Sequence, residues 1–342
     1  MSANPFQAGT FPFQPNMGGG SLTALLSEYI ASDIHAWHAK MQFAVVFAWG
    51  GGGGGQSGYC GDVTVTAQHR GGAAGGGGAF TMYIVKPADV AATSVVTIGA
   101  GAAGASASVF SGSPGTATVC NPTAAAGTTS LDSLVIAVGG GAIVNGSGTQ
   151  AGAGGSGTNC TPWLYGIPGS AGGQGDDNVP TPGGDANALA ISSYPVRRSA
   201  GGGAAPGFTS SSTADIYTGK TGGGVRSAYD HPTFILPQAG VNTGGPGAPG
   251  ADGVDDVDLD TVAAYLNGLG IGVSFQTTYG IGSGGQGGNP KYDGHGGRGG
   301  KGGRAAGGGG GGACKMNTEY IYASGPGGDG GDGLLQIVEF HL

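Results

Sequence analysis

Between Gly294 and Gly312 the chain reads GHGGRGGKGGRAAGGGGGG, and Arg298, Lys301 and Arg304 recur at every third position with two glycines between them. An α-helix repeats every 3.6 residues and a strand every two, so neither would line up three such side chains. A left-handed polyproline II helix does. It turns once per roughly 3 residues and rises about 3.1 Å for each, which sets the three cations along one edge about 9 Å apart. The other two edges carry only hydrogen. Because this backbone satisfies none of its own hydrogen bonds, each N–H and C=O must find water or a neighbouring segment. Bare glycine edges let segments come close and add weak Cα–H···O=C contacts. The spacing therefore predicts a bundle of glycine helices cross-bonded through their backbones.

The competing reading is disorder. The 82 glycines and 18 prolines make up about 29% of the 342 residues, a fraction at which an aperiodic chain stays unfolded. Against it, the apolar residues, 38% of the chain, gather into short strand-like runs between the glycine tracts, which a solvated linker would not carry. Glycine loses the most backbone entropy on folding, so order here requires many backbone hydrogen bonds together with apolar staples.

Charge narrows the partners. Only 9% of residues are charged and the net charge is −8, which speaks against nucleic acid as a ligand. The opening MSANPFQAGTFPF has neither the charged nor the apolar region of a signal peptide, and no window approaches a membrane-spanning length, so neither secretion by that route nor membrane insertion is expected. Cys60, Cys120, Cys160 and Cys314 lie far apart with no CxxC spacing. They read as free thiols or small buried side chains, with metal binding through them disfavoured.

Along the chain, residues 1–20 are rich in Pro, Phe and Gly and read as an extended arm. Leu22, Leu25, Leu26, Tyr29, Ile30, Ile34 and Trp37 fall at helical spacing with Ser21 as a possible cap. They predict one amphipathic helix over 22–38, its stripe either packing on the following domain or serving as a docking face. MQFAVVFAW from Met41 places Phe43, Val45, Phe47 and Trp49 on one face of a strand that runs into Gly50. Further strands are read at DVTVTA from Asp62, FTMYIVK from Phe80, SVVTIG from Ser94, SLVIAV from Ser133 and LLQIVEF from Leu334, and a short second helix at DTVAAYLNG, with Asp260 as N-cap and Gly268 as the stop. The fold class is thus mainly β, with strands holding the ends of a glycine-helix bundle.

Residues 161–235 differ in texture, carrying Trp163, Tyr165, Tyr194, Phe208, Tyr217 and Tyr229 among Ser, Thr and Pro. Aromatics on loops give large contact areas at small entropy cost, although core anchoring is the plainer role for most of them. Chemistry finds little footing elsewhere. GGDGGDGLL at Gly327 and GGQGDDNVP at Gly172 fit a nine-residue calcium repeat that would enlist Asp332 and Asp177, but such sites need stacked tandem copies. Asp329 and Asp332, themselves three apart, read more economically as an acidic edge that faces the basic edge of Arg298, Lys301 and Arg304. GGPGAPGADGVD from Gly244 gives four collagen-like triplets, too few for a triple helix. His35 and His38 could pair on a metal but lack a third ligand. In a chain this rich in glycine, matches to phosphate-binding and nucleophile motifs arise by chance. No cofactor is expected and no catalytic residue stands out.

The order FAVVFAWGGGGGG, then GGGGAFTMYIVKPADVAATSVVTIGAGAAG, and finally GPGGDGGDGLLQIVEF resembles the glycine-rich domain of bacteriophage tail fibre and tail tip adhesin proteins over about residues 41–340. The resemblance implies a polyglycine II bundle whose variable loops meet the host surface, in a virion protein made in the host cytoplasm. Residues 161–235 depart from the pattern, being longer and poorer in glycine, and residues 1–40 lie outside it. The expectations are a 1–40 arm and helix that attach to other tail or virion proteins, and a 41–342 domain whose 161–235 insertion binds a host outer-surface protein or glycan. Assembly as a homotrimer is left open. Two other readings stand beside this one: a capsid decoration or head fibre protein, and an ice-binding protein presenting flat glycine-helix faces. An enzyme such as a depolymerase would want paired carboxylates in a groove, which the sequence does not suggest.

Overall fold

The computed structural model describes residues 23–62, 69–108, 126–141, 165–175, 188–189, 196–197, 199–207, 245–256, 261–268, 271–316 and 322–341. Its strands are β1 (Thr23–Tyr29), β2 (Asp33–Ala36), β3 (Met41–Trp49), β4 (Cys60–Asp62), β5 (Phe80–Val85), β6 (Thr93–Thr97), β7 (Thr129–Leu131) and β8 (Val135–Ala137). Then come β9 (Tyr165–Ile167), β10 (Ala188–Leu189), β11 (Val196–Arg197), helix α1 (Thr261–Gly268), β12 (Lys291–Tyr292), β13 (Cys314–Met316) and β14 (Leu334–His341). The protein is mainly β, as its sequence predicts.

The central sheet has the order β1-β14-β3-β5-β9, with every pairing antiparallel. Alternation along β3 sends Phe43, Val45, Phe47 and Trp49 to one face, where they pack with Phe80, Met82, Ile167, Val338, Phe340 and, from α1, Val262 and Leu266. Met41, Ala44, Val46 and Ala48 point the other way, onto Val96, Leu131, Val135 and Ala137 of the four-stranded sheet β2-β6-β7-β8. The expected face is therefore present, and the opposite face is buried as well. That explains why MQFAVVFAW reads as a continuous apolar run rather than a clean alternation.

The helix expected over 22–38 does not form. Its described part is β1 and β2, joined by a bend. β1 pairs with β14 from Thr23↔His341 to Tyr29↔Leu335, and β2 pairs with β6. The apolar spacing fits a helix, but β14 and β6 each offer an unpaired edge. Residues such as Tyr29, Ile34 and Trp37 suit a pleated, half-buried surface, so tertiary pairing overrides the local pattern. The strands expected at Phe80, Ser94, Ser133 and Leu334 and the helix expected near Thr261 are present. The strand read from Asp62 is described only at its start, in β4, and Asp260 lies outside the described residues.

Between the sheets run glycine-rich segments whose hydrogen-bond partners change with a period of three. Residues 306–312 show it most fully. Ala306, Gly309 and Gly312 donate to Gly303, Gly300 and Gly297; Gly307 and Gly310 donate to Ala200 and Gly203; Gly308 and Gly311 donate to Gly53 and Gln56. Their carbonyls accept in the same rotation, from Gly331, Gly328 and Gly325, from Gly285 and Gly288, and from Gly75 and Gly72. The segment is thus surrounded by six others, and no position faces outward. A methyl group at any residue from Gly307 to Gly312 would overlap a backbone carbonyl oxygen of a neighbour. The uninterrupted GGGGGG follows from this crowding. The other six-glycine run, Gly50–Gly55, is likewise enclosed, with partners on segments around Gly76, Gly127, Gly140, Ala102, Gly308 and Gly328.

Residues 295–304 lie at the margin, and their pattern is GGX. Gly296, Gly299 and Gly302 donate to Ala323, Pro326 and Asp329, while Gly297, Gly300 and Gly303 donate to Asn289, Gln286 and Ser283. The third edge holds Arg298, Lys301 and Arg304. Ala305, at φ 61°, reverses the chain from this marginal segment into the enclosed one. The RAA that breaks the glycine run marks that turn.

Candidate functional site

Since two edges of each marginal segment are consumed by backbone pairing, side chains project only from the third, and these rows are where the bundle offers chemistry. Arg298 and Lys301 are exposed and Arg304 is half-buried. The carboxylate partners of Arg298 and Arg304 come from residues 252–256, not from the acidic edge expected on sequence. Arg298 lies 3.3 Å from Asp252, both side chains being about half exposed, and Arg304 Nε lies 3.0 Å from Asp256. Arg304 also stacks over the Tyr279 ring, 5.3 Å from its centroid. The backbone N–H groups of Lys301 and Arg304 donate to Asp252 Oδ1 and Asp255 Oδ1 at 2.8 and 2.7 Å.

Asp329 and Asp332 point away from the cations although their backbones adjoin them. Each accepts an N–H from the outer segment 99–108, Asp332 from Gly101 at 2.8 Å and Asp329 from Gly104 at 2.7 Å. The pairing of the two edges expected from sequence is thus corrected: what neutralises an acidic row here is a row of backbone donors. The same device recurs in a row that sequence reading missed. Ser283, Gln286 and Asn289, again three apart, hold the outer segment 245–254. Ser283 Oγ accepts from Val254 N, Gln286 Oε1 accepts from Ala251 N, and Asn289 Nδ2 donates to Gly245 O. In each case a short polar side chain completes the bonding of a segment that has no further neighbour among the described residues. The signal GSGGQGGN was present in the sequence and needed only the same count of three.

Of the aromatic candidates, Tyr165 begins β9 at the edge of the central sheet, opposite Met82. Trp163, Tyr194, Phe208, Tyr217 and Tyr229 lie outside the described residues, as does Asp177. Among the described residues no group of three His, Cys, Asp or Glu side chains is placed to hold a metal ion, and no helix is long and apolar enough to cross a membrane.

One buried polar cluster sits where β2 meets β14. Tyr29 Oη lies 2.8 Å from His35 Nδ1, His35 Nε2 lies 3.2 Å from Glu339 Oε1, and the N–H of His38 donates to Glu339 Oε2 at 2.8 Å. Burial pushes the His35 pKa below its ordinary value and the Glu339 charge opposes the shift only in part. An unfolded chain therefore takes up this proton at a higher pH than the native one. The stability that neutral His35 supports is complete above about pH 6.5 and declines as pH falls through that value. Urea midpoints are expected to drop between about pH 7 and about pH 5, and the slope to flatten in His35→Asn. An equal slope in that variant would show that other groups set the acid limit.

No protein-family model matches the sequence, and no curated protein is similar to it.

Proposed function

We propose that this chain is a structural protein of a bacteriophage virion, a tail fibre or tail tip adhesin that contacts the host surface, built around a bundle of polyglycine II helices. The step-of-three rotation of hydrogen-bond partners around Gly307–Gly312 carries this reading, because a threefold helix is the backbone that brings every third residue to the same neighbour. Such a bundle is stiff, and its interior presents almost no side chain to a partner. Recognition then belongs to segments that leave it. The resemblance to phage adhesins supports loops that meet the host, here the 161–235 insertion facing a host outer-surface protein or glycan, and residues 1–40, which lie outside the resemblance, are left to attach the protein to the virion.

The test is adsorption. Purified protein, or phage carrying it, is compared with the double variant Trp163→Ala and Tyr165→Ala, after circular dichroism establishes that the sheet persists. Aromatic anchors of a binding surface contribute on the order of 2 kcal/mol or more each when truncated, so binding to host cells is expected to fall by at least about tenfold. Unchanged adsorption in this pair, and again in a variant altered at Tyr194, Tyr217 and Tyr229, would overturn the reading of 161–235 as the contact region and favour a spacer.

A further inference from the structure

Two of the four cysteines, distant in sequence, are neighbours in the fold. β4 follows the enclosed segment 50–58 and β13 follows the enclosed segment 306–313. The two strands pair in parallel with Cys60 directly opposite Cys314. Both side chains are fully buried and form their own small cluster with Tyr322. The Cys60 thiol lies 3.4 Å from the Tyr322 carbonyl oxygen, to which it donates, and the two thiols are themselves hydrogen-bonded. Neighbouring strands lie about 4.8 Å apart, and a disulfide accepts Cα separations of about 4.4–6.8 Å with the Cβ atoms on the same side. Register neighbours in a parallel ladder meet both conditions, and β12, the third strand of this sheet, pairs on the far side of β13.

We propose that Cys60 and Cys314 form a disulfide that joins the two enclosed glycine segments at the end of the bundle away from the central sheet, and that it forms before the bundle closes. The oxidant is a small-molecule disulfide. One cysteine thiolate attacks it, giving a mixed disulfide and releasing one small thiolate. The second cysteine thiolate then attacks the protein sulfur of that mixed disulfide and releases the other. The protein loses two electrons and two protons, and the oxidant is reduced to two thiols. Timing follows from accessibility. In the native fold the Cys314 thiol is held well above the ordinary thiol range by its hydrogen bond to Cys60, by burial and by the nearby Asp293 carboxylate, so the reactive thiolate is scarce and no reagent reaches it. In the open chain neither restraint applies. Once made, the link is shielded from reductants for the same reason.

The experiment uses the full chain, reduced and unfolded, then refolded in a mixture of oxidised and reduced glutathione. Peptide mapping without reductant is expected to find the Cys60–Cys314 peptide pair in most molecules, lighter by two hydrogens than the separate peptides. The melting temperature is expected to rise by about 5 °C or more over protein refolded under reductant. Protein already folded in reductant is expected to acquire the link at least tenfold more slowly from the same mixture. Recovery of Cys60 and Cys314 as thiols after oxidative refolding, or their linkage to Cys120 or Cys160 instead, would overturn the pairing. Equal rates from the folded and unfolded chain would overturn the proposed order. The mapping needs no variant, so it stands even if Cys314→Ala fails to fold.

Discussion

Replacing Gly309 by alanine is expected to destabilise the protein by about 3 kcal/mol or more, a drop of about 4 °C or more in melting temperature. Gly309 donates to Gly300 and accepts from Gly328, and a methyl group on it would be driven into the carbonyl oxygen of Gln286. Overpacking in an ordinary core costs about 1–3 kcal/mol, because side chains give way. Here the obstacle is backbone that is itself hydrogen-bonded to the segment, so relief requires moving a neighbour and breaking its bonds. The control is Lys301→Ala in the adjoining segment. Its side chain is exposed and its N–H bond to Asp252 is retained, so the change is expected to stay within about 0.5 kcal/mol. Similar losses from the two substitutions, measured by thermal or urea denaturation, would show that the glycine run is not packed on all sides.

A chain beginning at Met41 is expected to fail to reach the native state, whereas one beginning at Thr23 is expected to fold. The first deletion removes seven paired residues from β14 and four from β6. It strips Ala24 and Leu26 from one core, and Tyr29 and Trp37 from the other. It also takes away the His35 ring and the His38 N–H that face the Glu339 carboxylate. What remains is an apolar β14 as an open edge, a template for pairing with other chains. Size-exclusion chromatography and circular dichroism after refolding check this, with aggregate expected for the Met41 chain and a native elution profile for the Thr23 chain. If the Met41 chain eluted and melted like the full protein, β1 and β2 would be accessory.

The strands from Met41, Phe80 and Leu334 were legible because they are buried on both faces, and a run such as FAVVFAW before a glycine tract has few other outcomes. The N-terminal segment misled because its apolar spacing satisfies a helix locally, and nothing within residues 22–38 states that β14 and β6 will present open edges. β7 was equally invisible, three residues whose role is set by Val96 and Val135 across the ladder. In the side-chain rows, the count of three drew attention to Arg298, Lys301, Arg304, Asp329 and Asp332 as residues of one edge. The partners were another matter. Opposite charges suggested one pairing, while the fold matched the cations to residues 252–256 and set the two aspartates on bare N–H groups of residues 101 and 104.

By itself the sequence determined how many edges of each glycine segment are covered. An unbroken run, as in Gly50–Gly55 and Gly307–Gly312, tolerates no Cβ on any edge and must be enclosed, whereas GGX leaves one edge open for a side chain. That information is local, because it concerns only what a backbone can approach. Which segments become neighbours was decided only in the tertiary structure. A glycine edge is chemically identical to every other glycine edge, so backbone hydrogen bonds alone cannot choose between partners. The choice falls to the apolar strands that fix where each segment starts, and to the short polar side chains of Ser283, Gln286, Asn289, Asp329 and Asp332 that hold the outer segments in place.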